Sequence, residues 1–81
     1  MRIDKFLNSV NITKRRSVAQ DMLSNKVVEI NGIIVKPSKN VEVDDTITIN
    51  YLNETKTYKV LQIPTTKSTP KSLQSEYIKE I

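Results

Sequence analysis

Residues 27 to 35 read Val27-Val28-Glu29-Ile30-Asn31-Gly32-Ile33-Ile34-Val35, two β-branched runs on either side of an Asn-Gly pair. A two-residue type I′ turn needs positive φ at both central positions, and Asn-Gly supplies them, so this stretch predicts a β-hairpin. Gly32 is the only glycine in the 81 residues, and it stands where a turn needs one. The hairpin divides the chain. Helical spacing precedes it and extended patterns follow it.

Upstream, Ile3, Phe6, Leu7 and Val10 recur at i, i+3, i+4 and i+7, one face of a short helix, with Arg2, Lys5, Asn8 and Ser9 opposite. Asn11-Ile12-Thr13 interrupts the pattern. Thr13 is the expected N-cap of a second helix from about Lys14 to Ser24, with Val18, Ala19, Met22 and Leu23 as its buried stripe. Asn25 is expected to end that helix, because Asn tolerates the left-handed conformation of a C-terminal cap. As an antiparallel pair the two helices would start far apart. Only a steep crossing brings their starts together, and periodicity does not fix the angle.

Downstream, Lys36 to Asn40 reads as a loop, and Val41-Glu42-Val43 crosses to an acidic turn at Asp44-Asp45. Thr46 to Tyr51 alternates as a half-buried strand, and Asn53-Glu54 turns into a last strand from about Thr55 to Ile63. Tyr51 and Tyr58 are expected in the core. From Pro64 the composition shifts to Pro, Thr, Ser and Lys, which predicts a linker. Thr69 as N-cap and Pro70 at the first helical position then start a terminal helix with Leu73, Tyr77, Ile78 and Ile81 on its apolar face. The expected class is α+β, with an N-terminal unit over 1–63 and a linker with a C-terminal helix over 64–81.

Composition narrows the chemistry. The chain has no His, Cys or Trp, which excludes a disulfide framework, a thiolate nucleophile, an imidazole base and His- or Cys-ligated metal sites. One glycine cannot build a phosphate-cradling loop, and the carboxylates between Glu29 and Glu54 show no acid/base spacing. No catalytic residue, metal or cofactor is expected. No apolar run approaches the roughly 20 residues that span a bilayer, and the N-terminus lacks the apolar core of a signal peptide, so a cytoplasmic protein without membrane partners is expected.

The charge is polarised. Residues 1–40 carry a net +5, residues 41–63 a net −2 and residues 64–81 a net +1. A basic end of this kind suits a polyanion. Lys14, Arg15 and Arg16 fall at the expected first turn of the second helix, the positive end of its dipole, where they cost on the order of 1–2 kcal/mol in total. A bound phosphate reverses that sign, because backbone N–H groups, dipole and cations then converge on it. Ser17 and Gln20 lie on the following turn, within reach of a phosphate, base or 2′-hydroxyl. A Lys-Arg-Arg triplet is also common at solvated helix ends, and Lys36 and Lys39 could extend the patch, although their position favours ordinary solubilising residues slightly. The tyrosines do not form a stacking platform, so backbone and shape are the expected readout.

Three blocks in order, Arg2-Ile3-Asp4-Lys5-Phe6-Leu7, Lys14-Arg15-Arg16-Ser17-Val18-Ala19 and Val28-Glu29-Ile30-Asn31-Gly32 with Lys36 and Pro37, resemble the RNA-binding domain first seen in ribosomal protein S-four, the alpha-L motif. The resemblance covers about residues 1–50. Among stand-alone members the opening and the Lys-Arg-Arg-Ser block are similar to the RqcP group, relatives of the fifteen-kilodalton heat-shock protein. It implies two helices packed on a small, bent antiparallel sheet of about four to five strands. It also implies RNA contacts at Arg2, Lys5, Arg15, Arg16, Ser17 and Gln20, with Asp4 orienting Arg2 or Lys5, and the charge pattern adds Lys14, Lys36 and Lys39 as candidate RNA contacts. The implied partners are rRNA and tRNA on an obstructed large ribosomal subunit, together with an RqcH-type tailing factor, and the chain is expected to be a monomer. The family has Gly-Arg where this chain has Lys26-Val27, which assigns the helix cap to Asn25, and a turn Gly where this chain has Asp44.

Two other readings stand beside this one: an RNA-binding appendage of an RNA-modifying enzyme living as a separate chain, and a protein adaptor acting through the tail. RNA binding that survives removal of residues 64–81 would separate the adaptor from the rest.

Overall fold

The computed structural model describes residues 1–65 and 73–81. Helices α1 (Ile3–Ser9) and α2 (Arg16–Ser24) precede strands β1 (Val28–Ile30), β2 (Ile33–Ile34), β3 (Thr46–Asn50) and β4 (Thr55–Val60). A short helix α3 (Gln74–Tyr77) then leads into β5 (Ile78–Glu80). The five strands form one antiparallel sheet in the order β2-β1-β3-β4-β5. The α+β architecture is the expected one.

Alternation along the strands gives the sheet one apolar face. Val28 lies opposite Ile49, Ile47 opposite both Ile30 and Tyr58, and Val60 opposite Ile78, and all are buried. Ile3, Phe6, Leu7 and Val10 of α1 pack against this face with no exposed surface, joined by Ala19 and Leu23 of α2. Each such aliphatic or aromatic side chain contributes about 1.5–3 kcal/mol on burial. The helices are therefore held by their apolar stripes, since seven and nine residues are too few to be stable alone.

The β1–β2 turn has Asn31 at φ 52° and Gly32 at φ 82°, the positive pair expected of a type I′ turn. Asn31 also ties this turn to the start of β3. Its amide donates to Asp45 Oδ1 (3.1 Å), its side-chain oxygen accepts the Thr46 N–H (2.9 Å), and its own N–H donates to the Thr46 carbonyl (2.8 Å).

Several local expectations are corrected. Helix α2 starts at Arg16 and not at Lys14, and Thr13 is not its N-cap. The Ile12 and Thr13 N–H groups both donate to the Leu7 carbonyl (3.0 and 3.1 Å), so the connection curls back over the end of α1, and the Thr13 hydroxyl donates to the Arg15 carbonyl (3.2 Å). Asn25 has φ −83°, and Lys26, at φ 61°, is the left-handed residue. The Lys26 N–H bonds the Leu23 carbonyl and the Val27 N–H the Met22 carbonyl, a Schellman closure whose left-handed position falls one residue beyond the cap. Lys26 and Asp44 (φ 74°) thus take positive φ at the two positions where the resemblance implied glycine.

Val18 is 43 % exposed: with Ala19 and Leu23 turned inward and Arg16 and Gln20 turned toward α1, it falls on the outer flank of α2. Tyr51 is exposed, not in the core, because it lies past Asn50 and Thr55, the last β3–β4 pair. Strand β4 ends at Val60, three residues short of Ile63, since the Leu61 and Gln62 N–H groups turn to the Tyr77 carbonyl (2.7 and 3.3 Å).

The tail differs most. Thr69 and Pro70 lie outside the described residues. Among the described residues of the tail the α-helix is Gln74–Tyr77, and Ile78–Glu80 pairs with β4 as a fifth strand. Ile78 is buried, whereas Leu73 and Ile81 are exposed. The Gln74 amide donates to the Val10 carbonyl (2.7 Å), which fastens the tail to the end of α1. Among the described residues no helix is long and apolar enough to cross a membrane.

Candidate nucleic-acid interface

Asp4 stands on the first turn of α1 with its side chain fully buried. Its Oδ2 accepts from Arg2 Nη2 (3.1 Å), from Arg16 Nη2 and Nε (3.3 and 3.4 Å) and from Gln20 Nε2 (3.2 Å). Its Oδ1 accepts the Lys5 main-chain N–H (2.8 Å). Burial pushes the carboxyl up, but the Gln20 amide, the Lys5 N–H and the charges of Arg16 and Arg2 outweigh it. Asp4 is held below its ordinary 3.8 and is ionised at neutral pH.

This carboxylate decides the geometry. It joins the first turns of both helices, so the helix starts meet and are not far apart. Sequence reading gave Asp4 the task of orienting Arg2 or Lys5. In the structure it holds Arg2, Arg16 and Gln20 by their side chains, and Lys5 offers only its backbone. Both arginine side chains remain about half exposed, at 49 % for Arg2 and 46 % for Arg16. Each therefore has donors left for a second partner, since guanidinium carries five.

The two helix starts differ in their backbone. At α1 the Ile3 and Asp4 N–H groups donate to the carbonyls of Lys39 (2.7 Å) and Pro37 (3.4 Å), and Arg2 bridges Asn40. The 36–40 loop thus caps α1 and brings Lys36 and Lys39 to the Arg2 side of the molecule, a placement that sequence spacing had left open. At α2 no side chain caps the N-terminus and no acid lies in the first turn. Lys14, Arg15 and Ser17 are exposed there, and Lys5 is exposed on α1. Arg2, Arg16 and Gln20 therefore converge on Asp4 beside a start of α2 that still offers its dipole. What sequence reading missed was the reach of Asp4 across 12 and 16 residues to Arg16 and Gln20. The available signal was an acid inside a basic stretch. Among the described residues no group of three or more His, Cys, Asp or Glu is placed to hold a metal ion.

The family model described as S4 domain matches residues 1–47, more than half of the chain and the part that builds this cluster. The chain belongs to the S4 domain family. Within it, the chain groups with RqcP and heat shock protein 15. It is 47 % identical over 78 residues to a Helicobacter pylori protein named RQC P-site tRNA stabilizing factor, covering 96 % of this chain and 93 % of that protein. It is 37 % identical over 57 residues to Escherichia coli heat shock protein 15, covering 70 % of this chain and 43 % of that protein. Among solved structures, trimeric Vibrio cholerae heat shock protein 15 superposes with a TM-score of 0.90 at 30 % identity, over 100 % of this chain and 81 % of that one. The solution structure of a hypothetical protein gives 0.87 at 44 % identity, over 100 % and 96 %.

Proposed function

We propose that this S4-domain protein binds the large ribosomal subunit as an RqcP-type factor, contacting rRNA and the P-site tRNA while a stalled nascent chain is processed. Arg2, Lys5, Lys14, Arg15, Arg16, Ser17, Gln20, Lys36 and Lys39 form the RNA surface, and residues 1–63 carry it. The observation that supports this most is the Asp4 cluster, which holds two half-exposed arginine side chains beside an uncapped helix start. Such an arrangement suits phosphate, because charge-assisted contacts from preset arginines lose less side-chain entropy on binding.

The protein acts without catalysis of its own, as a cytoplasmic monomer beside an RqcH-type tailing factor. Its mechanism is electrostatic. Neutralising about five phosphates releases counterions, so affinity should fall about a hundredfold between 50 and 200 mM salt. Burial of Ile78 in the sheet weighs against an adaptor that works through the tail's apolar face, since that residue is already occupied.

The test is cosedimentation with purified large subunits. Arg16→Ala and Arg2→Ala should abolish association while the circular dichroism spectrum stays unchanged. Wild-type sedimentation by both variants would remove the assignment.

A further inference from the structure

Gln20 is exposed on α2, one turn beyond Arg16, and its side-chain amide is held by one end only. Its Nε2 donates to Asp4 Oδ2 (3.2 Å), the oxygen that also accepts from Arg2 and Arg16. We propose that Gln20 is the residue of this site that distinguishes RNA from DNA, its carbonyl Oε1 accepting a hydrogen bond from a ribose 2′-hydroxyl. The inference rests on the RNA reading above and deepens it.

The polarity of the amide is the first argument. A glutamine side chain has a donor end and an acceptor end of nearly the same shape, and its neighbours decide which way it turns. Here the neighbour is an oxygen that already accepts from two guanidinium groups, which can only donate, and Asp4 is ionised at neutral pH. Turning the carbonyl toward that oxygen would set acceptor against acceptor. The NH₂ end therefore faces Asp4, and Oε1 is the atom left for a ligand. Among the described residues Oε1 has no hydrogen-bond partner. Asp4 is thus a positioning residue for Gln20 as well as for the arginines.

The chemistry of the ligand is the second argument. Arg2 and Arg16 present only donors, which suit phosphate oxygens. A carbonyl does the opposite: it opposes a phosphate, which only accepts, and suits a neutral donor. On the backbone of a nucleic acid that donor is the 2′-hydroxyl, which DNA lacks. Base N–H groups also donate, but in a duplex they are engaged in pairing, whereas sugar and phosphate alternate along the strand that the arginines hold. Gln20 and Arg16 are four residues apart on one face of α2 and share one oxygen, so a strand held at Arg16 brings its sugars past Gln20.

The experiment is fluorescence anisotropy of the whole chain with labelled hairpins taken from large-subunit rRNA. Each is made with ordinary ribose and with 2′-fluoro sugars, which keep the A-form pucker but cannot donate. The wild type should bind the hydroxyl strand at least about threefold more tightly than its fluoro twin. Gln20→Ala, an exposed change, should bring that ratio below about twofold, and so should Gln20→Lys, which keeps a donor for Asp4 and removes the acceptor. Asp4→Asn should lower the ratio too, because a neutral amide accepts either end of Gln20. A wild-type ratio near one, or a ratio that survives Gln20→Lys, would overturn the proposal. So would a Gln20-dependent preference that follows a change of base and ignores the fluorine, which would move the contact to a base edge. Loss of binding to both strands by the wild type is a different result: it would strike the RNA reading itself, and this inference with it.

Discussion

Replacing Asp4 by Asn removes the charge that joins the two helix starts while keeping the side-chain shape, and two opposed effects on RNA follow. Losing a negative charge near Arg2 and Arg16 raises the local positive potential, which favours phosphate. At about 7 Å through a half-solvated boundary this gain is no more than about 1 kcal/mol before salt screening. Against it, Arg2 and Arg16 lose their common anchor, and each must be fixed from a freer set of rotamers at about 1–2 kcal/mol per side chain. Positioning therefore wins, and affinity for rRNA should drop about tenfold. The number of phosphates contacted stays the same, so the slope of log affinity against log salt should not move, whereas Arg16→Ala should reduce it by about 0.7. Stability should also fall. Hydrogen bonds to a charged acceptor are worth about 1.5–3 kcal/mol when buried, but the arginines are half exposed and lie 3.1–3.4 Å away. A net loss of about 1–2 kcal/mol is expected, or roughly 5–15 °C in Tm for a domain of this size. The assay is fluorescence anisotropy with a labelled rRNA fragment over a salt series, paired with thermal melts. Tighter binding by the Asn variant would show that Asp4 merely opposes the ligand and would refute the positioning argument.

Acid should report the same carboxylate. Its folded value lies below the unfolded 3.8, so its stabilisation is complete above about 3.8 and disappears as pH falls through the folded value. The Asp4→Asn protein should lack that part of the acid-induced loss in urea melts at pH 2–5. At the turns, Gly32→Ala meets no neighbouring atom but must hold φ 82°, and should cost about 1–2 kcal/mol. Asp44→Gly relieves the same kind of strain at φ 74°, and its exposed ion pair with Lys59 (3.8 Å) is worth little. A gain of about 0.5–1 kcal/mol in urea melts is expected. Ile78→Ala should cost about 2–4 kcal/mol and release β5, read as faster amide exchange at Lys59 and Leu61, the β4 amides that face it.

Legibility in the sequence followed the range of the interactions involved. The α1 stripe and the Asn-Gly hairpin were readable because spacing and turn chemistry act over a few residues, and the structure carries both. The start of α2 was not. Thr13 has the right chemistry for a cap, yet its N–H is spent on Leu7 and its hydroxyl on Arg15. Leu73, Tyr77, Ile78 and Ile81 fit a helical face, but β4 offers Val60 and an open edge, and pairing there overrides the local pattern of so short a segment. At the candidate site the cations were legible as composition. Their convergence was not, because it depends on one carboxylate reaching 12 and 16 residues along the chain.

The capping of α1 by the 36–40 loop gives the two halves of the basic surface different mechanical characters. Around α1 the N–H groups are already committed to Lys39 and Pro37, so only long side chains such as Lys36 and Lys39 can meet a ligand there. Around α2 the helix itself is available, with Arg16 tethered in place. The loop lysines are compliant, whereas Arg16, and Arg2 with it, is fixed by Asp4. A nucleic acid that drifts by an ångström or two keeps its footing on the arginines while the lysines follow it, which is how a small clasp can retain a cargo that must move.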